Sequence, residues 1–319
     1  QPYDVNILER LAYIGQSAIG ALSFEPEADI AQQQAEMDLL ALARESLVVI
    51  EDEDTEALKN LLIIGGSPQG ARPKALIKFD STNNRVSTLP TAAGDDWLVK
   101  FPARGENQSV CAAEHVYAQL AKQCGLNMPD TQFFDLGSGY GAFGVKRFDR
   151  DNGMRIHVHT LAGLLNTNFR LPTLSYTQLL RCIRALTHSE LEVIQGYRQC
   201  VFNVVFHNRD DHSKNFSFMM DSVGNWALSP AYDLSFNTGL NGEHNMDIMG
   251  EGKNIKLKHL LDLAKNSDIK LATAKGIIEH TVSIASNLNH DLSHYPIDAA
   301  LREHICQHVQ KNINRLKSE

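Results

Sequence analysis

Short apolar runs, each broken by glycine or charge, dominate the first half of the chain. "NLLIIGG" is an apolar run closed by two glycines, the pattern of a strand entering a tight loop. "KALIKF" and "DDWLVKF" predict two further short strands. "NQSVCAAEHVYAQLAKQCGL" then sets Val110, Ala113, Val116, Tyr117 and Leu120 at helical spacing, with Gly125 just past the end as a cap. "DTQFFDLGSGYGAFGVKRFD" predicts a hairpin around a glycine-rich turn. Near residue 150 the period changes. "SYTQLLRCIRAL", "GYRQCVFNVVFHN", "IKLKHLLDLAK", "AKGIIEHTVSIASNL" and "LREHICQHVQKNINRL" all predict helices. A β-rich half followed by an α-rich half predicts an α+β protein with segregated lobes, not alternating βαβ units. The expected lobes are 1–147 and 148–319. The junction Val145–Asp149 lacks a flexible linker composition, so tightly joined lobes with a ligand cleft are expected.

Composition narrows this picture. The 319 residues are 43% hydrophobic and 21% charged, as in an ordinary globular protein large enough for two domains. No apolar run reaches the roughly 18 residues that a membrane span needs. The opening "QPYDVNILERLAYIG" has neither a Met nor a basic-then-apolar signal pattern. The expectation is therefore a cytoplasmic protein without a membrane partner, whose sequence begins inside a longer chain. A formal charge of −8 argues against holding nucleic acid through an overall field, leaving a local patch or an indirect link through a partner. The five cysteines are scattered and form no CxxC, which predicts free thiols and no zinc knuckle.

Five polar features stand out against the apolar frame. In "HNRDDHSKN", Asp210 and Asn215 have the spacing D-x-x-x-x-N, and Asp233 follows in "LSPAYDLSFN". Phosphoryl transfer asks for such a set: one Asp to take the hydroxyl proton, an Asn and a second Asp as hard oxygen ligands for Mg²⁺. The same residues would also serve as caps of a helix-end turn. Lys100 sits on a predicted strand, and Glu114 lies in the helix that follows. A kinase needs that Lys for ATP phosphates and that Glu to orient it, whereas an exposed strand Lys is the plainer alternative. "GGSPQGARPKA" joins two predicted strands, and its glycines let backbone N–H groups wrap phosphate oxygens beside Arg72 and Lys74. The junction "VKRFDR" offers strand backbone to an adenine edge. His207 and His212, five apart, miss the i, i+4 spacing of a zinc-protease helix, and no third ligand is evident.

The order of these features resembles the HipA family of bacterial serine/threonine kinases, the toxin half of HipA–HipB-type toxin–antitoxin modules. "GGSPQGARPK", "WLVKFP", "AEHVYAQLAKQCGLNMPDT", "VKRFDR", "HNRDDHSKNFSF" and "LSPAYDLSFN" carry the resemblance, over about residues 65–237. "ERLAYIGQSAIGALSFEP" is similar to the segment after that family's small N-terminal subdomain, which would lie upstream. The resemblance implies a two-lobed kinase-like fold, with a β-rich N-lobe and an all-α C-lobe. It makes Asp210 the general base and Asn215 and Asp233 the Mg²⁺ ligands. It places Gln69, Gly70, Ala71, Arg72, Pro73 and Lys74 over ATP, and Lys100, oriented by Glu114, on its phosphates. It makes Lys146, Arg147 and Phe148 the adenine hinge, with His212, Ser213, Lys214, Asn215, Tyr232 and Asp233 along the phosphates. Ser67 falls where the family carries a self-phosphorylated serine. "GARPK" departs from members with Gln-Glu before the Lys, and adds positive charge. Implied partners are a HipB-like helix-turn-helix antitoxin, operator DNA reached mainly through it, and a protein substrate such as an aminoacyl-tRNA synthetase. Two other readings are a pseudokinase-like binding module in an antitoxin–operator complex, and a small-molecule kinase.

Overall fold

The structure, a computed structural model, describes residues 6–27, 39–44, 72–168 and 174–317. The expected strand in "NLLIIGG" and the residues Ser67, Gln69, Gly70 and Ala71 lie outside them. The chain divides into two compact units: 1–115 with 130–157, and 116–129 with 158–319.

The first unit is built on a five-stranded antiparallel sheet. Its strands are β1 (Lys74–Asp80), β2 (Arg85–Ser87), β3 (Asp95–Lys100), β4 (Thr131–Gly137) and β5 (Tyr140–Lys146), in the order β2-β1-β3-β5-β4. Period-two alternation places Ala75, Ile77 and Phe79 of β1 on the buried face. They pack with Trp97, Val99, Phe101, Phe134 and Ala142, and with Leu39, Leu42 and Ala43. Phe79 meets Trp97 and Phe134 edge-on, with ring centroids 5.1 and 5.2 Å apart. Gly144 is required by this packing, because a Cβ there would stand 2.5 Å from Cε2 of Phe134. The β4–β5 hairpin turns through Ser138 and Gly139, both at positive φ, as its glycine-rich sequence predicts.

Helix α1 (Gln108–Gln123) runs through the division between the units. It ends as predicted: Gly125 has φ 80°, and its N–H donates to the Lys122 carbonyl. The second unit contains α2 (Tyr176–Thr187), α3 (Glu190–Val205), α4 (Leu257–Asn266), α5 (Leu271–Ala285) and α6 (Ala299–Lys317), close to the expected five. Ser175 caps α2 in a full capping box with Gln178. Besides its helices, this unit carries a small sheet of β6 (His157–Thr160), β7 (Ser217–Met220) and β8 (Trp226–Leu228), so the all-α expectation is too simple. The apolar face of α3 is buried with Tyr117 and Phe206, and the Tyr117 hydroxyl donates to the Phe206 carbonyl at 2.8 Å.

Candidate active site

In the first unit, Lys100 ends β3 on the face opposite Trp97 and Val99, yet it is only 9% exposed. A buried ammonium needs a partner. Glu114 on α1, itself 2% exposed, supplies it with Nζ to Oε1 at 2.6 Å. The second oxygen of Glu114 accepts from Nη1 of Arg72 at 3.2 Å. Glu106 grips the same guanidinium twice, from Nε at 2.8 Å and Nη2 at 3.0 Å. Burial opposes the charge of Arg72, but the Glu106 hydrogen bond and the charges of Glu114 and Glu106 outweigh it and push its pKa up. Arg72 thus steadies the Lys100–Glu114 pair, a role its place in a glycine-rich loop does not announce. Lys74 stands directly opposite Lys100 in the β1–β3 register. Cys111 donates to the Lys100 carbonyl, and burial pushes its thiol up to about 12, so it is a neutral packing residue.

The three residues expected at the hinge divide their roles. The Lys146 backbone N–H donates to the Asp130 carbonyl, and its side chain pairs with Asp95 at 2.7 Å on the surface. Arg147 donates from Nε and Nη2 to Asp149 at 2.9 and 2.8 Å, and from Nη2 to the Ala18 carbonyl. Asp149, 3% exposed, also accepts from Arg150 Nη1 and the Gly20 N–H. Burial works to raise its pKa, but the Arg147 hydrogen bond and the surrounding charges hold it below the usual carboxylate range. The side chain of Arg147 therefore fastens residues 18–20 to the strand end. Phe148, between them, is half-buried.

The second unit holds the D-x-x-x-x-N loop. Helix α3 ends at Val205, His207 takes φ 60°, and the chain then runs extended into a 3₁₀ turn at Ser213–Asn215. Asn215 donates Nδ2 to the Asp210 carbonyl at 2.7 Å, spanning the loop. That bond commits the amide nitrogen and leaves Oδ1 as the end able to meet a cation. Asp210 keeps its side chain half-exposed, with His212 Nε2 3.9 Å from Oδ1. Burial raises the Asp210 pKa; His212 opposes this, while the negative charges of Asp233 and Asp211 add to it. Asp233 has φ 57°, a left-handed turn conformation. Tyr232 before it is tied down by its hydroxyl, which meets Ser217 Oγ at 2.6 Å and the Lys214 carbonyl.

The structure thus joins Lys100 with Glu114 in one unit, and Asp210 with Asn215, His212 and the charge of Asp233 in the other. Asn215 and Asp233 are oxygen donors of the kind that could hold a hard divalent cation such as Mg²⁺, which binds few protein oxygens and takes the rest from water and phosphate. Among the described residues no group of three or more His, Cys, Asp or Glu could hold a metal unaided. His207 plays another part: its ring stacks on Phe236 and its Nδ1 faces Asn312 Nδ2 at 3.0 Å. Sequence reasoning missed Asp149, Glu106 and Asn312, whose partners are distant in sequence and carry no spacing signal.

Comparison with solved structures defines the class. Over 99% of this chain and 80% of the other, the fold matches HipA in the Shewanella oneidensis complex of HipA, HipB and operator DNA, with TM-score 0.70 and 21% identity. A Helicobacter pylori proinflammatory kinase, CtkA, matches over 77% of this chain and 90% of its own, with TM-score 0.50 and 14% identity. The fold is α+β and protein-kinase-like. The chain belongs to the HipA-like C-terminal domain family, which it matches over residues 66–288. A candidate kinase of Sinorhizobium fredii is 28% identical over 190 residues, 51% of this chain and 46% of the relative. A candidate kinase of Haemophilus influenzae is 26% identical over 191 residues, 53% of this chain and 52% of the relative. The chain spans about half the length of these curated relatives. No helix among the described residues is long and apolar enough to cross a membrane.

Proposed function

We propose that this chain is an ATP- and Mg²⁺-dependent serine/threonine protein kinase of the HipA type. The observation that carries the reading is the buried Lys100–Glu114 pair at 2.6 Å. Burying an ion pair gains little stability over apolar packing, so its retention points to use. Lys100 would neutralise nucleotide phosphates, with Glu114 and Arg72 fixing its direction. Asn215 and Asp233 would hold Mg²⁺, which when bound spreads the phosphate charge. Asp210, half-exposed and with a raised pKa, would accept the proton of the attacking hydroxyl. Catalysis of this kind is positioning and electrostatics. Transfer of labelled γ-phosphate from ATP tests it: Asp210→Asn should lower the rate by at least about 10³-fold, and transfer at the wild-type rate would remove Asp210 as the base.

Several finer assignments rest on family membership and the HipA–HipB–DNA neighbour. The partner would be a HipB-like antitoxin that carries the chain to operator DNA, and the substrate a translation component such as an aminoacyl-tRNA synthetase. Ser67 would be self-phosphorylated. A phosphate there adds about −1.5 to −2 charges and would compete with Glu106 and Glu114 for Arg72, weakening ATP binding. Equal ATP affinity before and after stoichiometric Ser67 phosphorylation would discard that switch.

A further inference from the structure

The residue beside the base has a different environment from the base itself. Along 208–211, Asn208, Arg209 and Asp211 are 1%, 6% and 1% exposed, and Asp210 alone keeps an accessible side chain. Both oxygens of Asp211 are occupied. Oδ2 accepts from the Tyr176 hydroxyl at 2.6 Å and faces His244 Nδ1 at 2.8 Å, and Oδ1 accepts from the Asn245 N–H at 2.7 Å. The chain of bonds continues beyond Tyr176. Asn203 Nδ2 donates to the Tyr176 hydroxyl at 2.9 Å, and Asn208 Nδ2 donates to Asn203 Oδ1 at 3.0 Å. The path therefore leaves the loop at Asn208, passes through α3 and α2, and returns at Asp211, closing a ring around Asp210. A second set of bonds holds the same peptides from the other side. Asn245 Nδ2 donates to the Arg209 carbonyl at 3.2 Å, and the Arg209 guanidinium donates to the carbonyls of Gly242 and Lys253.

A buried carboxylate is a costly way to fill space, since apolar residues of similar volume pack as well or better. What only a carboxylate offers is acceptors alone, on two oxygens, to several donors at once. An amide at 211 would present N–H to one of these donors. We infer that Asp211 is a positioning residue of the site, holding the loop so that Asp210 projects in one fixed direction, with Tyr176 and His244 as its supports. This rests on the kinase reading. Misplacing a catalytic group by about 1 Å can cost about a hundredfold in rate.

The test uses the full chain, with casein and the chain itself as acceptors of labelled γ-phosphate. Turnover is expressed per Mg·ATP-binding site counted by calorimetry, so that loss of folded protein does not count as loss of rate. Asp211→Asn should lower kcat per site by about 30- to 100-fold with KM for ATP within about twofold. Tyr176→Phe, which removes the hydroxyl with its bonds to Asp211 and Asn203 and little volume, should lower it by about 3- to 10-fold, and it carries the test if Asp211→Asn fails to fold. The double variant should fall no further than Asp211→Asn, because both act through one ring. Wild-type turnover per site in both variants, or a loss that only tracks the number of binding sites, would overturn the inference and leave the kinase reading intact. Absence of transfer by the wild-type chain would overturn both.

Discussion

Glu114 answers to two cations, and that decides how its neighbours tolerate change. Lys100→Met removes one partner but leaves Arg72 on the second oxygen. Unfolding in urea should show a loss of only about 1–2 kcal/mol, whereas Glu114→Ala, which takes away the carboxylate both cations share, should cost about 3–5 kcal/mol. Both should abolish phosphate transfer. Asp210 shows the opposite balance. Its folded pKa lies above the ordinary value, so the folded chain holds this proton more tightly than the unfolded one. Stability therefore falls as pH rises through that window and stays lower at neutral pH. Asp210→Asn should raise the melting temperature at pH 7 while removing activity, by about 1–2 °C because the half-exposed group is screened. His207 runs the other way. Burial, then the charge of Arg209, lowers its pKa from 6.5 to about 3. Below pH 6.5 the unfolded chain takes up a proton that the folded chain refuses, so stability is complete above that pH and lost as pH falls. The loss by pH 5 should be about 2 kcal/mol, read from urea midpoints, and smaller in His207→Asn, which tolerates the positive φ.

At the scale of elements, legibility followed the length of the pattern. β1, β3 and α1 could be read because alternation or helical spacing ran for six residues or more, and Gly125 ended α1 where its sequence says. β6, β7 and β8 have three or four residues each. No period shows over so short a run, so the second unit read as helices alone. The site was legible where its residues keep a fixed spacing, as Asp210 and Asn215 do. It was illegible where a side chain's partner lies far along the chain, as Asp211 with Tyr176 and His244, or Asp149 with Gly20. Even Arg72, assigned to phosphates by its loop, bonds two carboxylates whose positions only the folded sheet and helix reveal. Packing in β5 gives an element-scale test. Gly144→Ala drives a methyl into Phe134 and should destabilise by about 1–3 kcal/mol, with near-ultraviolet circular dichroism reporting the displaced rings.

For the whole molecule, nucleotide binding should appear as stability. Mg·ATP at 100 times its Kd should add about 2.7 kcal/mol to unfolding, and Lys100→Met should lose most of that gain; no shift in the wild-type chain would count against a nucleotide site. The bond from Asn312 has a consequence in time as well. Its amide on α6 donates to the carbonyls of Val204 and Val205, the last turn of the helix that leads into the loop of Asp210 and Asn215, and meets the ring of His207. Val204 and Asn312 are 108 residues apart. A ribosome adding about 5–20 residues per second needs roughly 5–20 s to cover that distance. Throughout that interval the growing chain already contains Asp210 and Asn215, but not the side chain that fastens the helix end before them. Birth order thus separates having Asp210 and Asn215 from having the helix end before them fastened, and the nascent chain completes this arrangement late.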